Sequence, residues 1–245
     1  MKGVILSELS YIQAIEAYKK YSIVMLPIGG GIKEHGPHMP CGTDMMIVNE
    51  IARRVVEKSP VILLPNLPYA HFPAFVDWPA SVNIKAVHFI NFVKDIIESF
   101  IKDGVEKFII LDGGISTHAP LQIVASELHN EFNVSIAITK IEGLGKEVSQ
   151  KVCEQKSGGH ADEAETSTML AIKNNLVNMD KAVEEYREVI PGVYSKAGIQ
   201  KFTIRSKLNT KNGTHGNSKL ATEEKGLKIL DAKVDDIVNF INNFK

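Results

Sequence analysis

Short apolar runs alternate with amphipathic stretches along the chain. Runs rich in Val, Ile or Leu and bounded by polar residues, Gly or Pro predict buried strands at residues 22–28, 61–64, 107–111 and 134–139. Apolar residues spaced by three and four predict helices around 47–55, 87–97, 121–128 and 221–244. Because parallel strands need a crossover that a helix supplies, this alternation predicts an α/β fold: a single three-layer α/β/α domain with a mostly parallel sheet.

Length and composition favour one domain over residues 1–245. The 245 residues, 44% of them hydrophobic, are enough to bury a substantial core and lie within the usual size of one α/β domain. The stretch 189–217 is rich in Gly, Lys, Asn, Thr and Ser, so we expect a long loop or hairpin there rather than a linker between domains.

Charge and cysteine content narrow the classes of partner. The 28 Lys and Arg nearly cancel the 29 Asp and Glu, which leaves no global field to hold nucleic acid or an anionic membrane. No signal peptide or membrane-spanning run is recognisable, and the two cysteines, Cys41 and Cys153, fit a reducing compartment. We therefore predict a cytoplasmic protein that acts on a small molecule, without an organic cofactor.

Ionisable side chains collect in three segments that follow predicted strands: 29–44, 112–118 and, after a loop, 158–167. In open α/β sheets the ligand lies beyond the carboxyl ends of the strands, so we expect the three segments to converge. Their candidate residues are Lys33, Glu34, His35, His38 and Asp44, then Asp112 and His118, then His160 and Glu165. Imidazole and carboxylate groups suit divalent Zn, Mn or Fe, which makes this edge a candidate metal site.

Four ordered motifs resemble those of the creatininase family. The letters H-G-P-H-M-P followed by G-T-D at 35–44 are similar to the family signature E-Q-H-G-P-H-L-P-x-x-T-D. W-P-A-S at 78–81 resembles the family's F-P-G-T, and H-A with E-T-S at 160–167 resembles its H-A-G-x-x-E-T-S. The segment 216–226 resembles G-D-P-x-x-A-x-x-E-x-G, so the resemblance extends over almost the whole chain.

The resemblance implies a homo-oligomeric, often hexameric, amidohydrolase that opens a non-peptide C–N bond of a small amide, commonly a cyclic or formyl amide. In this family two metals share a carboxylate and activate a water. By position, His35 is implied as a metal ligand, Asp44 as the bridging carboxylate and His160 as a proton-transfer group near the substrate.

The chain departs from the family pattern at two metal-ligand positions. Lys33 stands where the family has its first glutamate ligand, with Glu34 shifted by one, and Gly114 stands where it has a histidine. Only His35 and Asp44 therefore match ligands position by position. An ammonium group can stand where a cation stood, so Lys33 is expected to pair with Asp44 and replace a lost metal charge.

These departures leave the number of metals open. We expect one divalent metal held by His35, Asp44 and Glu34, or with His118 or Glu165 as the substitute ligand, and we keep none and two as alternatives.

Residue type and position predict the functions of the other candidates. His160, Glu165 and Lys33 are predicted catalytic residues. Trp78, His118 and Asp112 are predicted to bind substrate, although Trp78 is equally suited to the core and the other two to capping the helix that follows. The competing function is a non-hydrolytic relative, either a small-ligand binding protein or a lyase that uses Lys33 as a base.

Overall fold

The computed structural model describes residues 1–187, 205–208 and 210–244. Its main sheet contains strands β1 (Val4–Ile5), β2 (Ile23–Ile28), β3 (Ile62–Leu63), β4 (Lys107–Asp112) and β5 (Ser135–Ile138). All pairings are parallel, and the strand order is β1-β3-β2-β4-β5. A separate antiparallel pair joins β6 (Glu184–Glu185) to β7 (Gly216–Asn217).

The helices are α1 (Tyr11–Lys20), α2 (Thr43–Lys58), α3 (Ala86–Lys102), α4 (His118–Phe132), α5 (Lys146–Val152), α6 (Glu163–Lys173) and α7 (Glu223–Asn243). None of the helices in the described part of the chain is both long and apolar enough to cross a membrane. The cytoplasmic location stays a prediction.

Two apolar clusters form on opposite faces of the sheet because successive side chains of a strand point to opposite sides. Val24 and Leu26 of β2 belong to the cluster that also contains the buried faces of α3 and α4. Ile23 and Met25 belong to the other, which contains those of α2 and α7. The sheet thus lies between two helical layers, and the predicted three-layer α/β/α fold is confirmed.

The four predicted strands and the four predicted helices are all present, with ends shifted by at most a few residues. The amphipathic periodicity did not identify α1, whose only buried residue is Ala17. A local signal was present nonetheless, since Ser10 and Gln13 form a capping box at its start. Of the predicted loop or hairpin at 189–217, most lies outside the described residues, while its last two residues form β7.

Candidate active site

A cavity of about 1190 Å³ lies beyond the carboxyl ends of β2 and β4. Its wall includes Lys33 and Asp44 from the first segment, Gly114 from the second, and His160 and Glu165 from the third. The three ionisable segments therefore converge on one site, as their positions after strands of one parallel sheet led us to expect.

A buried charge cluster joins Lys33, His35 and Asp44. Asp44 lies in the first turn of α2, where a carboxylate is favoured by the helix dipole. Lys33 Nζ is 2.7 Å from Asp44 Oδ2, and His35 Nε2 is 2.9 Å from Asp44 Oδ1. The ion pair between Lys33 and Asp44 that the sequence led us to expect is thus present, and both of its side chains are buried.

The cluster fixes the charges of its members. Burial acts to raise the pKa of Asp44, but the positive charges of Lys33 and His35 outweigh it and hold that pKa well below its usual range. Burial acts to lower the pKa of His35, and the Asp44 carboxylate raises it above its ordinary value. Because Nδ1 of His35 faces the Lys33 carbonyl oxygen at 3.0 Å, both ring nitrogens have an acceptor beside them.

Glu34 holds the ring of His160. Its Oε2 lies 3.1 Å from His160 Nε2, and its Oε1 accepts a hydrogen bond from the backbone amide of Gly36. Gly213 has a left-handed backbone with φ +74°, and a Cβ there would overlap the Glu34 carboxylate. Burial raises the pKa of Glu34 to about 7, although the Gly36 amide and neighbouring positive charges act to lower it.

Three side chains form a group that could hold a metal ion. One ligand atom from each of His35, His160 and Glu165 lies within 4.8 Å of the other two. Glu165 Oε2 accepts a hydrogen bond of 2.6 Å from the amide of Ala161, a buried non-glycine residue with φ +50°. Such left-handed positions are uncommon outside glycine and concentrate at functional sites, and this one connects His160 to the start of α6.

Two features of the site count against a second metal ion. Lys33 Nζ is 2.7 Å from Asp44 Oδ2, the oxygen that Asp44 would need in order to bridge to a second metal ion. A Cβ on Gly114 would come within 2.6 Å of Thr117 Oγ1 and 3.0 Å of Phe72, so the space of the family's histidine ligand is filled. Two imidazoles and a carboxylate suit one divalent ion with an open position for water.

The sequence grouped the ligands differently. It proposed His35 and Asp44 as metal ligands, with Glu34, His118 or Glu165 as the third, and His160 as a proton-transfer group. In the structure Asp44 is engaged by Lys33 and His35, and Glu34 by Gly36 and His160, while His160 joins the group that is suited to a metal.

The predicted substrate-binding residues are not part of the described cavity wall. Asp112 Oδ1 accepts hydrogen bonds from the Gly114 amide and the Thr117 hydroxyl, and burial raises the pKa of Asp112 to about 7. His118 Nδ1 is 3.6 Å from Asp112 Oδ2, and Trp78 packs against the core cluster of α3 and α4. Within the described ranges none of Asp112, His118 and Trp78 lines the cavity, and their contact with substrate stays a prediction.

The remaining candidate histidine of the first segment, His38, has a connecting position. Its Nε2 is 2.8 Å from the Thr166 hydroxyl, so it joins the loop after β2 to α6, and burial lowers its pKa to about 4. Sequence reasoning missed Phe75, Arg187 and Lys233 in the cavity wall. Phe75 packs on the His160 ring with centroids 4.5 Å apart.

The Creatininase family profile, described as creatinine amidohydrolase, matches residues 7–241. The 3-dehydro-scyllo-inosose hydrolase of Thermotoga maritima is 27% identical over 209 residues, a match that spans 80% of this chain and 65% of that protein, less than two thirds of its length. The creatinine amidohydrolase of Pseudomonas putida is 23% identical over 236 residues, which cover 89% of this chain and 88% of that protein.

Solved structures share the fold. One described as "Creatininase Mn" has a TM-score of 0.85 at 22% identity, with 99% of this chain and 98% of that one covered. A mutant creatininase of the "Zn-Zn type" has a TM-score of 0.82 at 22% identity, with 99% and 98% covered. The match of the family profile to nearly the whole sequence shows that this chain belongs to the creatininase family of amidohydrolases, as its motifs predicted.

Proposed function

We propose that this protein is a metal-dependent hydrolase that opens a non-peptide C–N bond in a small amide, with one divalent ion held by His35, His160 and Glu165. The observation that carries the proposal is the convergence of these three ligand groups in the wall of the large cavity. Membership of a hydrolase family supports the reaction class, and the chemistry of the ligands favours Zn, Mn or Fe.

The bound ion would supply a Lewis acid and a lowered pKa for an attacking water. The chain supplies the orientation of the ligands. To bind the ion, His35 would have to be neutral and to release one of its two ring nitrogens from the acceptor that it now faces, Asp44 or the Lys33 carbonyl oxygen, while the other nitrogen keeps its partner. Glu34 faces His160, and such partners fix ring orientation and ligand basicity. Lys33, also in the wall, would stabilise negative charge that develops on the oxygen of a carbonyl group bound next to it.

The non-hydrolytic alternative is not favoured. A lyase mechanism needs Lys33 as a free base, but its ammonium is ion-paired with Asp44 at 2.7 Å. Its Nζ also lies 4.8 Å from the ring centres of Phe72 and Phe75, a setting that stabilises a cation. The structure therefore supports Lys33 as a fixed positive charge.

Removal of the metal should abolish hydrolysis. We expect that the protein hydrolyses at least one member of a panel of cyclic and formyl amides that includes creatinine. The rate of this hydrolysis should fall by more than about 100-fold after the protein is dialysed against a chelator. Zinc or manganese added back should restore the rate, as followed by formation of the carboxylate product, which is the ring-opened acid from a cyclic amide and formate from a formyl amide. A rate that survives complete metal removal, confirmed by elemental analysis, would contradict the proposal.

We further propose a homo-oligomer, a hexamer by family resemblance. The near-neutral net charge of −1 opposes association only weakly, and α1 leaves Tyr11, Ile12 and Ile15 exposed at 78%, 60% and 48%. Light scattering at micromolar concentration should give a mass that is a multiple of the 27.0 kDa chain. A stable monomer would refute this part of the proposal.

A further inference from the structure

Lys233 is a cation of the cavity wall that the proposed mechanism does not use. It belongs to α7, is half-buried, and its Nζ donates a hydrogen bond of 3.0 Å to the carbonyl oxygen of Ile141. In the described part of the chain, no carboxylate lies within ion-pair distance of this Nζ. Two other cations differ in this respect, since Lys33 pairs with Asp44 and Arg205 pairs with Asp77.

The carboxylates nearest to Lys233 already have partners. The negative charges of Asp162, Glu165 and Asp236 act to raise the pKa of Lys233, but none of these carboxylates forms an ion pair with it. Asp162 accepts from the amides of Gly159 and Glu165 at the start of α6, and Asp236 accepts from the amide of Gly145 at 2.7 Å. Glu165 accepts from the amide of Ala161. Lys233, a residue of the cavity wall, therefore has only one hydrogen-bond acceptor for its ammonium group among the described residues.

Among the other cations that line the same cavity is Arg187. Arg187 is half-buried, and its Nε has no hydrogen-bond partner among the residues that the structure describes. Its positive charge acts on two neighbours, where it contributes to the lowered pKa values of His160 and His215. Arg187 and Lys233 thus place two positive charges in the wall that also holds His160 and Glu165.

A cation that is withdrawn from water without a counter-ion is costly, and an anionic ligand offsets that cost. Burial lowers the pKa of Lys233 to about 8, in keeping with an ammonium that lacks a close counter-ion. A carboxylate that entered the cavity would form charge-assisted hydrogen bonds with this group.

We propose that Lys233, aided by Arg187, binds an anionic group of the ligand, so that the substrate is a small amide that carries a carboxylate. The proposal rests on the proposed function only in taking this cavity as the substrate site. The alternative is that Lys233 only anchors the loop of Ile141 to α7, so the experiment has to distinguish anion binding from this structural role.

The test compares a dianion with its neutral isostere. Isothermal titration measures the binding of succinate and of succinamide to chelator-dialysed protein and to zinc-loaded protein. We expect unmodified protein to bind succinate at least about tenfold more tightly than succinamide, and Lys233→Met to lose that preference. Lys228→Met is the matched control, because it removes an exposed lysine of the same helix, paired with Glu224, and should keep the preference. Lys233→Arg retains the positive charge and should therefore retain most of the preference for succinate.

The outcomes are distinct. A preference for succinate that persists in Lys233→Met, with or without a lowered melting temperature, overturns the proposal, and so does the absence of a preference in unmodified protein. A preference that needs zinc and survives in Lys233→Met belongs to the metal and also overturns it. If metal-free protein prefers succinate and only Lys233→Met loses this preference, the result supports the anion site. This holds even if no amide is hydrolysed, so a failure of the proposed function can be told apart from a failure of the anion site.

Discussion

Lys33→Met should lower the free energy of unfolding by about 3 kcal/mol, because it leaves the buried Asp44 carboxylate without its ion-pair partner. Lys33 and Asp44 are only 8% and 5% exposed in their side chains, and their charged atoms are 2.7 Å apart. His35 stays beside Asp44, which places the expected loss at the lower end of the range for a broken buried pair. Denaturant unfolding of the metal-free protein measures it.

The control removes a lysine from an exposed pair. Lys58 Nζ is 3.1 Å from Asp235, with side chains that are 49% and 61% exposed, so Lys58→Met should cost less than about 1 kcal/mol. The double variant Lys33→Met with Asp44→Asn removes both buried charges and should recover part of the loss. Equal effects of Lys33→Met and Lys58→Met would show that Lys33 is not a charge on which the site depends.

Glu165→Gln should abolish metal binding, whereas Glu34→Gln should not. Glu165 contributes the one carboxylate of the metal-binding group. Loss of a residue that only hydrogen-bonds to a ligand typically weakens metal binding by about 10- to 100-fold. Loss of Glu165, a direct ligand, should therefore weaken it by more than about 100-fold. Glu34 contacts His160 from outside the group, so its amide variant should lose about 10- to 100-fold at most. Zinc titration with a competing chromophoric chelator measures both affinities.

The two isosteric changes discriminate between the ligand sets. If the metal were held by His35, Asp44 and Glu34, as the motif alone led us to expect, Glu34→Gln would be the more damaging change. Equal, small effects of both variants would place the metal elsewhere in the protein.

The fold was predictable because its periodic signals are strong. Each central strand is a continuous apolar run, as a strand that is buried on both faces requires, and α7 carries an unbroken apolar stripe. The strand β1 was missed because only two residues pair, too few for any period to appear. The helix α1 was missed because it buries almost nothing, and its start is marked by a cap rather than by a stripe.

The site was predictable only in part, because sequence order does not give side-chain direction. The motif placed Lys33, His35 and Asp44 together, and local spacing holds them there. The turn at Ala161 directs His160 toward His35, and a left-handed alanine has no sequence signature. As a charged residue of an amphipathic helix, Lys233 would be expected to face solvent, and only the tertiary packing shows that it belongs to the cavity wall.

The central claim is that one metal ion binds to His35, His160 and Glu165. Anomalous diffraction at the zinc edge, from crystals of zinc-loaded protein, tests it most directly. We predict one zinc peak per chain at about 2.0 to 2.2 Å from a ligand atom of each of these three residues. Two peaks, or one peak bound by Asp44 and Glu34 with Lys33 displaced, would contradict it.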